Sequence, residues 1–204
     1  MCPWPEGIWV TGGFWLLAAW FALSNGWRLL AVTLSAAALH ELGHLLALYL
    51  LGGRVTGLRL SAFGAELATD AARLPYLRET GVVLAGPAVN LALGLLLARL
   101  GQYTASGAHL SLCLFNLLPV RPLDGGRALC LLASWLLGPE RGEAAARWGG
   151  ALTALPLGCA GLWLTGRTGG SLWLLPASWG LLAAGLRELA GGARGIFCKK
   201  PLHF

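Results

Sequence analysis

The feature that constrains this chain most is a pair of histidines around a glutamate inside an apolar stretch. The order His40-Glu41-Leu42-Gly43-His44 falls within residues 29–51, which are otherwise uncharged and long enough to cross a bilayer. On a helix, residues four apart share one face, so both imidazoles can reach one metal ion. A charged group at the centre of a spanning helix costs roughly 2.5–3.5 kcal/mol, and such groups by default mark a functional site. The pattern predicts a zinc site; the alternative is a buried polar cluster that only holds helices together.

The composition indicates an integral membrane protein. Of the 204 residues, 56% are hydrophobic and 12% are charged, against about 25% charged in a soluble domain. We expect a single all-α membrane domain over residues 1–204, with about six transmembrane helices. The predicted spans are residues 8–23, 29–51, 81–100, 108–137 with a polar break, 149–165 and 172–189.

Lys and Arg in the short loops predict the orientation, because the more basic side of a membrane protein faces the cytoplasm. One predicted side contains Arg54, Arg59, Arg73, Arg78, Arg141, Arg147, Arg194, Lys199 and Lys200, and the other contains Arg28, Arg99 and Arg167. Both termini of a multi-pass protein of the bacterial cell membrane are therefore expected in the cytoplasm. The site is then expected in the cytoplasmic half of the bilayer. No basic patch interleaved with aromatic residues supports a nucleic-acid partner.

A second polar segment supplies a third candidate metal ligand. Zinc with two histidine ligands needs one more protein ligand if its fourth position is to hold water. Residues 116–127, NLLPVRPLDGGR, interrupt the fourth apolar region, where two prolines end the helix and a glycine pair permits a sharp turn. Asp124 lies between them and is disfavoured in lipid unless it binds metal or is paired. The alternative is a salt bridge from Asp124 to Arg121 or Arg127.

The segment after the second span, residues 52–67, has a different pattern. In GGRVTGLRLSAFGAEL, apolar and polar residues alternate imperfectly between glycines. This predicts short strands, a β-hairpin or a re-entrant segment. An exposed strand edge there can accept an extended substrate by strand addition. An ordinary cytoplasmic loop fits the pattern equally well.

The ordered motifs resemble the site-two protease family (peptidase M50) of intramembrane zinc metalloproteases. H-E-x-x-H lies in one span and N-x-x-P-x-x-x-L-D-G-G in a later one, and Gly86-Pro87-Ala88-Val89-Asn90 matches the family's G-x-x-x-N pattern between them. The resemblance covers about residues 29–138. The compact six-span layout, without an inserted PDZ-like domain, most resembles the sporulation branch, which releases a membrane-tethered sigma-factor precursor. The CBS domain frequent in that branch is not in this sequence.

The resemblance implies a reaction and a role for each matching residue. The reaction is hydrolysis of a peptide bond in or near the membrane segment of a tethered protein, such as a sigma-factor precursor or an anti-sigma factor. A regulatory membrane protein is compatible with this activity. The implied roles are one Zn²⁺ per chain bound by His40, His44 and Asp124, a general base in Glu41, and substrate-backbone binding by Asn90 and Asn116.

Two other functional classes remain open from the sequence. The first is a membrane metal or ion transporter, because intramembrane His and Asp also mark ion pathways. The second is a non-catalytic membrane scaffold. Outside the motifs, His109 is expected to be an interfacial residue rather than a ligand, because it lies at the outer end of the fourth apolar region.

Overall fold

The helices follow the apolar segments of the sequence. The structure is a computed structural model that describes residues 7–53, 55–61, 64–69, 74–168 and 174–190. The first and last residues of the chain, which are predicted to lie in the cytoplasm, are outside the described part. The helices are α1 (Gly12–Asn25), α2 (Trp27–Leu50), α3 (Tyr76–Arg99), α4 (Tyr103–Asn116), α5 (Asp124–Leu137), α6 (Pro139–Thr168) and α7 (Leu174–Leu189). The strands are β1 (Gly7–Val10), β2 (Val55–Ser61) and β3 (Gly64–Thr69).

Three predicted spans correspond to different secondary-structure elements in the structure. The segment predicted as the first span begins as strand β1 and becomes helical at Gly12. The broken span is two helices of 14 residues each, α4 and α5. The fifth belongs to the 30-residue helix α6, which starts at Pro139 because Gly138 ends α5 at φ +90° and proline suits a first helical position.

Two of the described helices, α2 and α3, are long and apolar enough to cross a membrane. The 14-residue helices are shorter than the roughly 20 residues that a perpendicular span requires. The outer faces of the bundle carry large apolar side chains, such as Leu16 at 75% exposure and Leu136 at 68%. Buried positions include small and polar side chains, such as Ala36 and Asn90, both at 0%. Helices in lipid associate in this way, through small residues and internal polar contacts, so the chain is an integral membrane protein.

The segment between α2 and α3 contains two of the three strands. β2 pairs antiparallel with β3, with Leu60 opposite Ala65, and parallel with β1, with Leu60 opposite Val10. The order β1-β2-β3 places β2 in the centre and β1 and β3 at the edges of the described sheet. Residues 54, 62 and 63 of the predicted hairpin lie outside the described part of the chain.

Helix α3 is central to the bundle because it packs against α2, α4 and α5. Glycines make these contacts close. A Cβ atom at Gly43 of α2 would lie 3.0 Å from the Ala85 carbonyl oxygen, and one at Gly94 of α3 would lie 2.7 Å from Leu110 Cδ2 of α4. Because glycine has no side chain, α2, α3 and α4 approach closely enough for polar groups on one helix to contact those on its neighbour.

Candidate metal site

Three side chains from α2 and α5 bring their ligand atoms together. His40 Nε2 lies 3.0 Å from Asp124 Oδ2 and 3.1 Å from His44 Nε2. His44 Nε2 lies 3.3 Å from Asp124 Oδ2. Tetrahedral zinc with bonds of about 2.0–2.1 Å separates neighbouring N and O ligands by about 3.3 Å. The three residues singled out in the sequence are therefore spaced as one small metal ion requires.

Asp124 is the first residue of α5, so its carboxylate sits at the N-terminus of that helix. Unpaired N–H groups and the helix macrodipole favour a negative charge there. The alternative of a salt bridge from Asp124 to Arg121 or Arg127 is wrong. Arg127 donates to Glu79 Oε1 at 2.8 Å, and Arg121 pairs with two other glutamates.

The glycine pair after Asp124 permits a close approach rather than a sharp turn. Gly125 and Gly126 are helical residues of α5, and neither has a positive φ. A Cβ at Gly125 would overlap the carbonyl oxygen of Leu117, and one at Gly126 would lie 2.6 Å from the carbonyl carbon of Val120. The first turn of α5 therefore packs directly on the backbone of residues 117–123, which holds Asp124 toward the histidines.

A backbone contact fixes the orientation of His44. Its Nδ1 lies 2.8 Å from the carbonyl oxygen of Val82 in α3. A carbonyl only accepts, so Nδ1 carries the proton and Nε2 presents a lone pair toward His40 and Asp124. Metal-binding histidines commonly have such a partner behind the ring. Sequence reasoning missed Val82 because a backbone acceptor leaves no signature in the side chains.

The G-x-x-x-N segment of α3 lies against the imidazole rings. A Cβ at Gly86 would come within 2.7 Å of His44 Cε1 and 2.9 Å of His40 Cε1. One turn later, Asn90 Nδ2 lies 3.1 Å from His40 Nδ1. Asn90 Oδ1 lies 3.0 Å from Nδ1 of His109, which is 4% exposed. The expectation that His109 is an interfacial residue is therefore wrong.

The other two predicted site residues differ in their relation to the ligand group. Glu41 is half-buried and close enough to both imidazoles and to Asp124 to interact with them electrostatically. Asn116 is the half-buried last residue of α4, and its Nδ2 donates to the Leu112 carbonyl of the same helix at 3.1 Å. Asn116 adjoins residues 117–123 but is not one of the grouped ligands.

A buried ion cluster fastens the segment before Asp124 to the last two helices. Arg121 Nε donates to Glu188 Oε1 of α7 at 2.8 Å, and its terminal nitrogens donate to Glu188 Oε2 and to Glu143 of α6. Sequence reasoning missed this cluster. Its members are 22 and 67 residues apart, beyond any helical or strand periodicity.

Comparison with known proteins gives several sequence relatives, some of them named as zinc metalloproteases. No protein-family model matches the sequence. The chain is 30% identical over 130 residues to Stage IV sporulation protein FB of Bacillus subtilis, across 59% of this chain and 45% of that protein. It is 31% identical over 121 residues to zinc metalloprotease MJ0392 of Methanocaldococcus jannaschii, across 53% and 35%. It is also 31% identical over 200 residues to Rip3 of Mycobacterium tuberculosis, across 87% and 49%. The chain thus spans less than half the length of each of these relatives.

A solved structure shares the fold. The Site-2 Protease from Methanocaldococcus jannaschii matches with a TM-score of 0.69, across 100% of this chain and 98% of the other, at 23% sequence identity. At that identity the match shows the architecture alone. The zinc metalloprotease relatives and the shared fold together support the resemblance to the site-two protease (peptidase M50) family.

Proposed function

We propose that the chain is a zinc-dependent endopeptidase that cuts a membrane-tethered protein in or near its membrane segment. The observation that carries this proposal is the group of converging ligand atoms on His40, His44 and Asp124, with Glu41 beside them. Two of the sequence relatives are named as zinc metalloproteases, MJ0392 and, as a putative one, Rip3. The substrate class follows from a site built on helices with lipid-facing outer surfaces.

The donor set fits zinc. Two imidazole nitrogens and one carboxylate oxygen are typical of catalytic zinc sites, which leave a fourth position for water or substrate. The Val82 carbonyl fixes the tautomer of His44 that binding requires, and Gly86 leaves room for both rings. When bound, one zinc ion per chain would acidify a water molecule and polarise the scissile carbonyl.

Glu41 is the proposed general base and acid. Its place next to His40 in the helix puts a carboxylate beside the ligand group. It accepts the proton of the attacking water as the water oxygen bonds to the carbonyl carbon. It then delivers that proton to the leaving nitrogen as the C–N bond breaks. Glu41 takes up one proton and releases it in each turnover, so its carboxylate returns to the starting state.

Asn116 is the proposed donor to the substrate backbone. A side-chain amide near the site can hold an extended peptide and stabilise the oxyanion. Its half-buried position at the end of α4 is compatible with contact to a substrate. The substrate role that the resemblance implies for Asn90 fits its surroundings less well, because Asn90 is 0% exposed between two imidazoles.

The strands support a proposal for how the substrate is extended. A membrane segment is helical and must unwind before its backbone can be cut. β3 has β2 on one side and forms an edge of the described sheet, so an extended peptide can pair along it by strand addition. β2 is central and is occupied on both sides. The edge of β3 is therefore the proposed docking strand.

Six membrane segments with cytoplasmic termini remain our proposed topology. Gly52 lies just beyond the end of α2, eight residues after His44, or about 12 Å along a helix. The site is thus proposed to lie inside the bilayer, closer to the side of the strands. The basic residues between α2 and α3 support a cytoplasmic location for that side.

The transporter alternative has less support in the structure. An ion pathway requires ionisable groups distributed along several helices and open to the ion. The other buried charges already have counter-ions: Arg121 pairs with two glutamates, and Glu79 pairs with Arg127. These ion pairs connect helices to one another. Apart from them, the described residues contain one group of converging candidate metal ligands.

Cleavage in vesicles tests the proposal. Zinc-loaded protein is reconstituted with a panel of single-span membrane proteins, each carrying a soluble reporter, and release of the reporter is measured. The wild type is expected to release reporter from some members, and Glu41→Gln is expected to release none while retaining zinc. Release by Glu41→Gln at the wild-type rate would contradict the proposed chemistry.

A further inference from the structure

A buried imidazole outside the ligand group has no part in the chemistry above. His109 of α4 is 4% exposed, and its Nδ1 lies 3.0 Å from Asn90 Oδ1. The other end of the same carboxamide, Asn90 Nδ2, lies 3.1 Å from His40 Nδ1. One amide on α3 therefore links a proposed zinc ligand on α2 to a second imidazole on α4.

We propose that His109 is a positioning residue that acts through Asn90 to determine which nitrogen of His40 is free to bind metal. This inference rests on the proposed zinc site. The two imidazoles do not touch, so the effect passes through the orientation of a single side-chain amide.

The direction of the hydrogen bonds determines which ring nitrogen of His40 is unprotonated. Binding through Nε2 requires the His40 proton on Nδ1, and that N–H needs an acceptor. Rotating the Asn90 amide by 180° exchanges its oxygen and nitrogen at the same two positions. His40 Nδ1–H then donates to the Asn90 oxygen, and the Asn90 NH₂ group donates to Nδ1 of His109. In this orientation Nδ1 of His109 is unprotonated and accepts, and the His109 proton is on Nε2.

The opposite orientation blocks the ligand atom. If His109 Nδ1–H donates to the Asn90 oxygen, the Asn90 NH₂ group donates to His40 Nδ1. His40 then carries its proton on Nε2, where it donates to Asp124 Oδ2 at 3.0 Å. Both orientations give each end of the Asn90 carboxamide a hydrogen-bond partner and have the same net charge. They differ in whether His40 Nε2 has a lone pair for a metal.

The metal-binding orientation requires a hydrogen-bond acceptor at position 109. Asn90 is 0% exposed, so water does not replace a missing partner. With an apolar residue at position 109, the rotated amide would bury an NH₂ hydrogen without an acceptor. The imidazole of His109 provides that acceptor through its tautomer, so its removal is expected to weaken metal binding at His40.

A matched pair of substitutions separates this role from packing. His109→Leu and His109→Asn introduce side chains of similar size and branching, but only Asn keeps a polar group near the position of Nδ1. Ser106→Ala is the control for packing, because Ser106 lies one turn away on the same face of α4 and donates to the Gly94 carbonyl of α3 at 2.7 Å. That substitution removes a buried contact between the same two helices without touching Asn90.

The measurement is the zinc affinity of the full chain in detergent, by competition with a chromophoric chelator. The visible spectrum of the Co²⁺-substituted protein reports ligand geometry. His109→Leu is expected to bind zinc about tenfold more weakly, at the lower end of the range for outer partners of metal-bound histidines. His109→Asn is expected to recover most of the loss, and Ser106→Ala is expected to bind as the wild type does.

Wild-type affinity in His109→Leu would overturn the proposal. An equal loss in Ser106→Ala would also overturn it, because packing would then explain the effect. If His109→Leu does not fold, ¹⁵N chemical shifts of the wild-type histidines decide, with Nε2–H expected for His109 in the zinc-loaded protein and Nδ1–H overturning the inference. A wild type that binds no zinc would instead contradict the proposed function.

Discussion

Gly86→Ala should remove the metal site while changing a single hydrogen into a methyl group. The new Cβ would overlap Nε2 of His44 and would lie 2.7 Å from Cε1 of the same ring and 2.9 Å from His40 Cε1. Ordinary contacts begin near 3.4 Å, so the ring of His44 must move by at least about 0.7 Å. Metal sites tolerate about 0.2 Å in ligand distance. The displacement is therefore several times larger than the site can absorb.

The rings have little room to yield. His44 is held from behind by the Val82 carbonyl at 2.8 Å, and His40 by Asn90 at 3.1 Å. Moving His44 lengthens a buried hydrogen bond, and forcing α2 from α3 disrupts the contact at Gly43. Such overpacking costs about 1–3 kcal/mol of stability. Because a ligand itself is displaced, zinc affinity should fall by more than the roughly 10–100-fold seen for outer partners.

Gly81→Ala is the matched control for this substitution. Gly81 is also in α3, but a Cβ there would meet nothing within 4 Å. Alanine is the better helix former by up to about 1 kcal/mol, so this variant should fold at least as well as the wild type. Zinc content and affinity are measured for both variants. One zinc per chain at wild-type affinity in Gly86→Ala would refute the placement of the rings against α3.

Three further substitutions test other parts of the site. Asn116→Ala should keep its zinc but lower kcat by about 10²–10³, as loss of an oxyanion donor does; loss of zinc would contradict the assignment. Arg121→Met should lower the free energy of unfolding by about 3–5 kcal/mol, because Glu143 and Glu188 lose their counter-ion; an unchanged thermal midpoint would contradict it. Gly126→Ala should weaken zinc binding by shifting Asp124, since its Cβ would lie 2.6 Å from the Val120 carbonyl carbon; unchanged affinity would exclude this.

The sequence singled out the three candidate ligands that the structure brings together, because each of them carries its own signal. His40 and His44 have helical spacing, and Asp124 is an acidic residue within an apolar region. These signals are local, and they are strong because ionisable groups are rare in lipid. The structure brings the three together across 84 residues of sequence, from His40 to Asp124.

The groups around the ligands could not be predicted in the same way. Val82 contributes a backbone oxygen, and Arg121 pairs with glutamates on helices whose neighbours follow from tertiary packing alone. His109 had one usable signal. It lies on one face of α4 with the buried Ser106 and Cys113, at spacings of three and four residues. Such a polar stripe favours a buried histidine over an interfacial one.

The helix boundaries show a related limit. An apolar stretch indicates where lipid contact is possible, but not where the backbone turns. Residues 8–10 are apolar and belong to a strand because β2 pairs with them. Pro139 begins α6 ten residues before the predicted span, because polar residues are tolerated on a helix that extends beyond the apolar core. Hydropathy alone records neither effect.

Zinc content per chain is the measurement that tests the central claim most directly. It is determined for the detergent-purified wild type, for Glu41→Ala and for Asp124→Ala. We predict about one zinc per chain in the wild type and in Glu41→Ala, and loss of zinc in Asp124→Ala, because Asp124 contributes a ligand and Glu41 does not. A wild type without metal, or full zinc content in Asp124→Ala, would contradict the three-ligand site and the proposed enzyme built on it.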